Sequence, residues 1–298
     1  MIADNSGVAH FKGVALIVLA TFLFSSHDGV SKHLAQLYPI VMVVWARYAV
    51  HSSLMTLIFI PRHGVSVLKS KCPRLQLLRG MALVSTSLFF TSSLYYLPLA
   101  EATSIHFLAP LLVVVLSATL IGEAATAKQY LSALLGLAGT LFIVRPGGDF
   151  LSPAALLPFG SATCFALYQL LTRKISAYDS ATTSNFLGGL IATVVMTLLL
   201  PFYWKMPSMN DGLLMLALGT LGMVSHLIFT KSSEYAPPAS LAPFGYCQIL
   251  FSTLIGVAIF HQAPEAMSMI GMAIIAVSGA IAIKPRSRLA LDKHISVK

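Results

Sequence analysis

Charged side chains are scarce in this sequence: Asp, Glu, Lys and Arg together make up 10% of 298 residues, against 57% that are hydrophobic. A soluble domain sits nearer a quarter charged and half apolar. Cysteine is scarce as well. Cys72, Cys164 and Cys247 stand far apart with no C-x-x-C spacing, so neither a disulfide framework nor a cysteine metal site is expected. Also missing are the signatures H-E-x-x-H and G-x-S-x-G and an intramembrane pair of acids, which removes the grounds for an intramembrane enzyme. No cofactor and no metal are expected. A soluble catalytic or nucleic-acid-binding domain has no room, because the apolar residues fill the chain in runs of about 20, the length that crosses a hydrocarbon core of about 30 Å.

Ten such runs fall at roughly 13–34, 39–60, 76–97, 101–121, 128–145, 153–173, 180–203, 211–231, 238–260 and 265–284. They read as helices, because lipid-exposed backbone must satisfy its own hydrogen bonds and the runs are too long for barrel strands. The first run continues past His27 and Asp28 with no small-residue cleavage site, so it reads as a retained span. The formal net charge of +9 follows from membrane topology rather than from a nucleic-acid partner. With an internal N-terminus, fifteen Lys and Arg fall on the inner side, among them Arg62, Arg74, Arg79, Arg173 and Lys231, and three on the outer: Lys32, Arg145 and Lys205. Arg47 lies within span 2 and counts for neither side. Both termini are therefore expected in the cytoplasm and the number of spans to be even. Tyr203 and Trp204 beside Lys205 suit an outer interfacial anchor.

The sequence also repeats itself. SIHFLAPLLVVVLSATLIG from Ser104 recurs in outline as SLAPFGYCQILFSTLIGVA from Ser240 at an offset of 136. Val144-Arg145-Pro146 matches Ile283-Lys284-Pro285 at 139, and Ser31-Lys32 matches Arg173-Lys174 at 142. A longer loop between Arg62 and Arg74 absorbs the drift. Five spans per half is an odd number, so the halves enter the membrane in opposite directions, as in secondary transporters with a midplane site. The expected units are 11–146, 152–286 and a basic cytoplasmic tail, 287–298.

Four features carry a family resemblance: FSSHDGVSKHLA ending span 1, VVWARYAV in span 2, SLYYLPLAEATSIHFLAPLL joining spans 3 and 4, and the turn LIGEAATAKQ after span 4. SSEYAPPASLAPFGY repeats the third. With these the chain resembles the drug/metabolite transporter superfamily, its EamA-type branch with ten helices. The resemblance implies an all-α membrane protein of two inverted five-helix repeats, with a cavity lined by spans 1, 3, 4, 6, 8 and 9 and with spans 5 and 10 as scaffold. Ser132, Gly136 and Thr140 suit close packing there. It also implies a transporter of a small metabolite in a bacterial inner membrane. HDGVSKHLA with the WAR segment is most similar to importers of riboflavin and related compounds; export of amino acids or toxic metabolites and import of S-adenosylmethionine are the alternatives. The partners are thus a small-molecule substrate and the lipid bilayer, with no nucleic acid, and the chain is compatible with a homodimer.

Charges inside a span mark function or a structural ion pair. Asp28 and Lys32 lie four apart on one face of span 1, and Arg47 lies about two turns into span 2, so Asp28 can pair with either. The functional reading is a gate or an anchor for a charged substrate group. The structural one is an ion pair tying spans 1 and 2, with Lys32 snorkelling to the surface. His27 neighbours Asp28 but points about 100° away. Among the histidines, His106 and His226 fall on cavity spans by the resemblance, and each is either a proton carrier or an ordinary interhelical hydrogen bond. Tyr168, Gln169, Tyr246 and Gln248 supply rings and amides near the midplane, as a planar heteroaromatic substrate requires, with Phe89, Phe107 and Phe165 as flat walls. Pro110, Pro237, Pro238 and Pro243 are expected to kink spans 4 and 9.

Overall fold

The structure, a computed structural model, describes residues 3–120, 127–144, 153–235 and 244–282. The prolines expected to kink span 9, Arg145, the Gly122-Glu123 turn and the tail lie outside them. The described chain is helical: α1 (Ala3–Leu37), α2 (Ile40–His63), α3 (Pro73–Tyr96), α4 (Leu99–His106), α5 (Ala109–Leu120), α6 (Ala127–Val144), α7 (Leu156–Ile175), α8 (Ala181–Leu199), α9 (Met209–Tyr235), α10 (Cys247–Phe260) and α11 (Ala266–Ala282). Six of them, α1, α2, α3, α7, α8 and α9, are long and apolar enough to cross a membrane by length and composition. Large apolar side chains lie on the outer surface, as lipid contact requires; Leu57 is 71% exposed and Leu198 70%.

The fourth span is two helices. α4 and α5 are separated at Phe107 and Leu108, just before Ala109-Pro110, and a proline has no N–H to donate to the carbonyl four residues back. Elsewhere the α2–α3 connection is a short 3-10 turn, Gly64–Leu68. It is entered through Gly64 at φ 66°, a conformation costly for a residue with a Cβ.

Counting α4 with α5, each half contributes five spans, and the most extensive contacts between halves come in matched pairs. α1 packs on α9 and α3 on α7; α2 packs on α9 and α3 on α8; α1 packs on α10 while α4 and α5 pack on α7. Exchanging the halves turns each contact into its mate and leaves α2–α8, α4–α10 and α6–α11 as they are. That is the contact pattern of a two-fold relation between repeats, and five spans apiece make the repeats inverted.

α6 and α11 meet backbone to backbone. A Cβ at Gly271 would stand 2.5 Å from the Gly139 carbonyl oxygen, and one at Gly139 would stand 2.8 Å from that of Gly271. Gly136 faces Leu111 and Ser278 in the same layer. Membrane helices rely on such small-residue contacts, because lipid offers them no hydrophobic drive to associate. Gly271→Ala is therefore expected to cost about 1–3 kcal/mol, as overpacking does, read as a lower melting temperature of the solubilised protein. An unchanged melting temperature would mean that these helices do not meet at Gly271.

Candidate functional site

The polar residues of the apolar spans gather where α1, α2, α3, α7, α8, α9 and α10 converge. α9 approaches α2 through Gly219, whose added Cβ would stand 2.9 Å from the Arg47 carbonyl oxygen. Three residues on, a Cβ at Gly222 would be 3.4 Å from the His27 ring and 3.8 Å from Arg47 Nε. Two glycines on one face of α9 thus let a histidine of α1 and an arginine of α2 share one depth.

Asp28 is 6% exposed. One carboxylate oxygen lies 2.9 Å from His27 Nδ1 and the other accepts from Gln248 Nε2 at 3.1 Å. The expected divergence of His27 from Asp28 is thereby corrected. Their directions along α1 differ, but both side chains are closed in by neighbouring helices, and the ring nitrogen meets the one acceptor within reach. Ser25 extends the seam, donating to the Gln248 carbonyl at 3.0 Å, with its Oγ 3.1 Å from Ser252 Oγ.

Lys32 does not pair with Asp28, nor does it snorkel. It is 3% exposed and donates to the carbonyls of Leu94 and Leu97, at 2.7 Å each. These belong to the C-terminal turn of α3, where carbonyls lack helical partners and a cation is favoured. One turn along α1, Gln36 donates to the Tyr95 carbonyl at 3.1 Å. Lys32 is a cap on α3.

Arg47 does not pair with Asp28 either: among the described residues the sole ion pair is His27–Asp28. Its Nη1 makes one long bond, 3.4 Å to Ser87 Oγ, and its guanidinium carbon lies 5.2 Å from the Tyr48 ring centre. Tyr48 OH and Ser87 Oγ are themselves 2.6 Å apart.

Arg79, counted among the inner-side charges at the start of span 3, is 1% exposed inside the bundle. It donates from Nε to Thr172 Oγ1 at 2.7 Å, from Nη1 to the Ser184 carbonyl at 2.6 Å, and from Nη2 to Tyr168 OH at 2.7 Å and Asn185 Oδ1 at 3.4 Å. The sequence signal was its spacing from Gln76: three residues apart, they share a helical face two turns inside α3.

The rings form a wall. Phe90 and Phe165 lie 5.0 and 5.2 Å from His106, and Phe165 stacks on Tyr168 at 5.6 Å and 13°. His106 is held by Ser161 Oγ, 3.0 Å from its Nδ1. His226 stands edge-on to Phe24 at 5.0 Å. Tyr246 lies apart, 5.3 Å from Phe107 in the apolar cluster of α4 and α10. Gln169 forms no hydrogen bond among the described residues, and Phe89 turns outward, 40% exposed.

Arg47, Tyr48, His51, Arg79, Tyr168, Asn185 and His226 line a cavity of about 30 Å³ together with Leu83 and Gly189, room for one or two waters. Its wall comes from spans 2, 3, 6, 7 and 8. The set that the resemblance implies is 1, 3, 4, 6, 8 and 9, of which spans 3, 6 and 8 line it. Spans 2 and 7 cross each other and carry Arg47 and Gly189 into the middle, while spans 1, 4 and 9 reach it through the Asp28 seam and the ring wall. A far larger recess of about 660 Å³ opens among Tyr38, Tyr95, Tyr96 and Pro153, and no charged side chain lines it.

Both ends of the bundle are fastened between the halves. At one, Tyr38 OH donates to Asp211 at 2.7 Å, the Ser208 N–H donates to Tyr38 OH at 3.2 Å, and Lys205 donates to the Leu37 carbonyl at 2.8 Å. At the other, Asp179 accepts from Ser70 Oγ, the Lys71 N–H at 2.8 Å, Gln76 Nε2 at 2.9 Å and Cys72 Sγ at 3.4 Å. The first links the α1–α2 turn to the start of α9; the second links the matching α7–α8 turn to the start of α3. Burial pushes the Asp179 carboxyl up, but these hydrogen bonds outweigh it and hold the group at about 2. A carboxyl lowered on folding stabilises above its unfolded value of about 4, and that contribution is lost as pH falls through the folded value. The Asp179 latch should therefore hold at neutral pH and weaken only from about pH 4 towards pH 2. A pH titration of stability, compared with Asp179→Asn, checks this, and a latch-dependent loss near pH 7 would contradict it.

Residues 11–145 and 152–283 each match the EamA-like transporter family. The chain is similar to the S-adenosylmethionine uptake transporter of Rickettsia bellii, 24% identical over 95% of this chain and 97% of that protein. It is also similar to a riboflavin transporter of Vibrio cholerae, 26% identical over 66% and 67% of the two chains. The pseudopaline exporter of Pseudomonas aeruginosa is 26% identical over 89% and 94%. A crystal structure of another protein superposes at a TM-score of 0.63 with 23% identity, covering 92% of this chain and 97% of its own; that likeness concerns the fold.

Proposed function

We propose that this chain, which belongs to the EamA-like transporter family, takes up a planar heteroaromatic metabolite across a bacterial inner membrane by alternating access, with both termini in the cytoplasm. The carrying observation is the pair of latches. They hold equivalent places in the two halves, one towards each end of the bundle with the polar cavity between them, so on this reading releasing one opens the cavity to one side alone. This arrangement supports a carrier that passes through an occluded state in which both latches hold. The lysine and arginine census supports placing the Asp179 latch on the cytoplasmic side.

For the substrate, the wall of Phe90, His106, Phe165 and Tyr168 offers flat faces to a heterocycle beside hydrogen-bonding groups. Riboflavin and S-adenosylmethionine, which name two of the relatives, both contain such a heterocycle. Uptake of each radiolabelled compound into oriented membrane vesicles tests the reading. Time-dependent accumulation of one of them supports it. Movement of neither, or movement outward alone, overturns it.

A further inference from the structure

The residues around the midplane cavity include Arg47, Arg79, His51 and His226, and no carboxylate. The two arginines differ in how far the protein satisfies them. Arg79 directs its donors at Thr172, Ser184, Tyr168 and Asn185. Arg47 has five N–H donors, one long bond to Ser87, and no acidic partner among the described residues. Asp28 does not serve it: its oxygens meet His27 and Gln248, and no ion pair joins it to Arg47. Beside Arg47 on α2, His51 Nε2 is buried with no hydrogen-bond partner.

A guanidinium within a membrane bundle is retained at considerable cost unless something completes its hydrogen bonds. The planar fork matches an oxyanion, which accepts two parallel N–H bonds and balances the charge. His51, four residues and one helical turn further on, can add a third donor from Nε2. The cavity admits one or two waters, and hence the head of such a group, with the remainder of the molecule lying along the ring wall.

We infer that Arg47, assisted by His51, is the anion anchor of this carrier and that its substrate presents an oxyanion, a carboxylate or a phosphate, at the cavity. This rests on the reading of the chain as a carrier of planar heteroaromatic metabolites. The anchor accounts for an intramembrane arginine without an acid, and it selects among substrates that the ring wall treats alike.

The test measures binding to the purified full-length protein in nanodiscs with two matched pairs. S-adenosylmethionine and its decarboxylated form differ by the carboxylate; riboflavin 5′-phosphate and riboflavin differ by the phosphate. In one pair the member with the oxyanion should bind at least about tenfold more tightly, and which pair it is identifies the oxyanion. Arg47→Gln should reduce that preference below about threefold, and Arg47→Lys, which keeps the charge without the fork, should leave an intermediate value. Equal binding within both pairs, or a preference that survives Arg47→Gln, overturns the anchor while the carrier reading stands. Binding of none of the four overturns both. Equal binding by the wild type overturns the anchor whether or not the variants fold, and Arg47→Lys carries the assignment to Arg47 if Arg47→Gln does not fold.

Discussion

Arg47→Ala is expected to lower substrate uptake by about 100-fold, while the amount of protein in the membrane stays that of the wild type. The loss follows from charge-assisted hydrogen bonds to the substrate, worth about 1.5–3 kcal/mol each. Folding loses little. Arg47 contributes one 3.4 Å bond to Ser87, and Ser87 keeps its 2.6 Å contact with Tyr48. Insertion becomes easier, since an arginine at the centre of a span opposes it by about 2.5–3.5 kcal/mol. The contrast is Arg79→Ala, which leaves the Tyr168 hydroxyl without its donor and removes the bonds to the Ser184 carbonyl and the Thr172 hydroxyl, and should reduce the folded protein itself. Uptake in vesicles, normalised to protein recovered as a monodisperse peak, separates the two. Wild-type uptake by Arg47→Ala would return Arg47 to a packing role.

Releasing the two latches should have opposite consequences. Asp179→Asn weakens the acceptor for Ser70, Lys71, Cys72 and Gln76. Tyr38→Phe removes the bonds to Asp211 and Ser208. Loss of about 1.5–3 kcal/mol from one closed end shifts the open population on that side by about 10–100-fold. A cysteine introduced as Asn185→Cys at the cavity, in a background where Cys72, Cys164 and Cys247 are serine so that position 72 keeps a donor for Asp179, reports this through its reaction with an impermeant thiol reagent. Asp179→Asn should raise labelling from the cytoplasmic side and Tyr38→Phe from the opposite side. Greater reactivity from the same side in both variants would refute the twin-latch arrangement.

Much of the architecture is legible in the chain because a membrane imposes its rule locally. A helix must satisfy its own backbone wherever lipid surrounds it, so the apolar runs mark helices with little reference to neighbours. Pro110 announces the break between α4 and α5 for the same reason, through a hydrogen bond that it cannot make. Arg79 was harder to read. It counts with Arg74 among the inner-side charges, whereas Gln76 three residues before it marks a buried polar face. Phe89 and Phe165 look alike as residues in apolar runs, yet one faces outward and the other stacks on Tyr168, which depends on the rotation of α3 and α7 in the bundle.

The sequence by itself determined that the chain is a membrane protein of two similar five-span halves, and that Asp28, Lys32, Arg47 and a few histidines and amides lie inside its spans. Composition and spacing suffice for that, because both act along the chain. Which of these groups meet was decided by tertiary structure alone. Asp28 finds Gln248, 220 residues away; Lys32 finds the carbonyls ending α3; Arg47 is left facing the cavity without an acid. Those pairings depend on how each helix is rotated and how deep it sits. Rotation and depth are fixed by close approaches such as Gly219 and Gly222 against α2 and α1, or Gly139 against Gly271, where the absence of a side chain matters only once another helix is beside it.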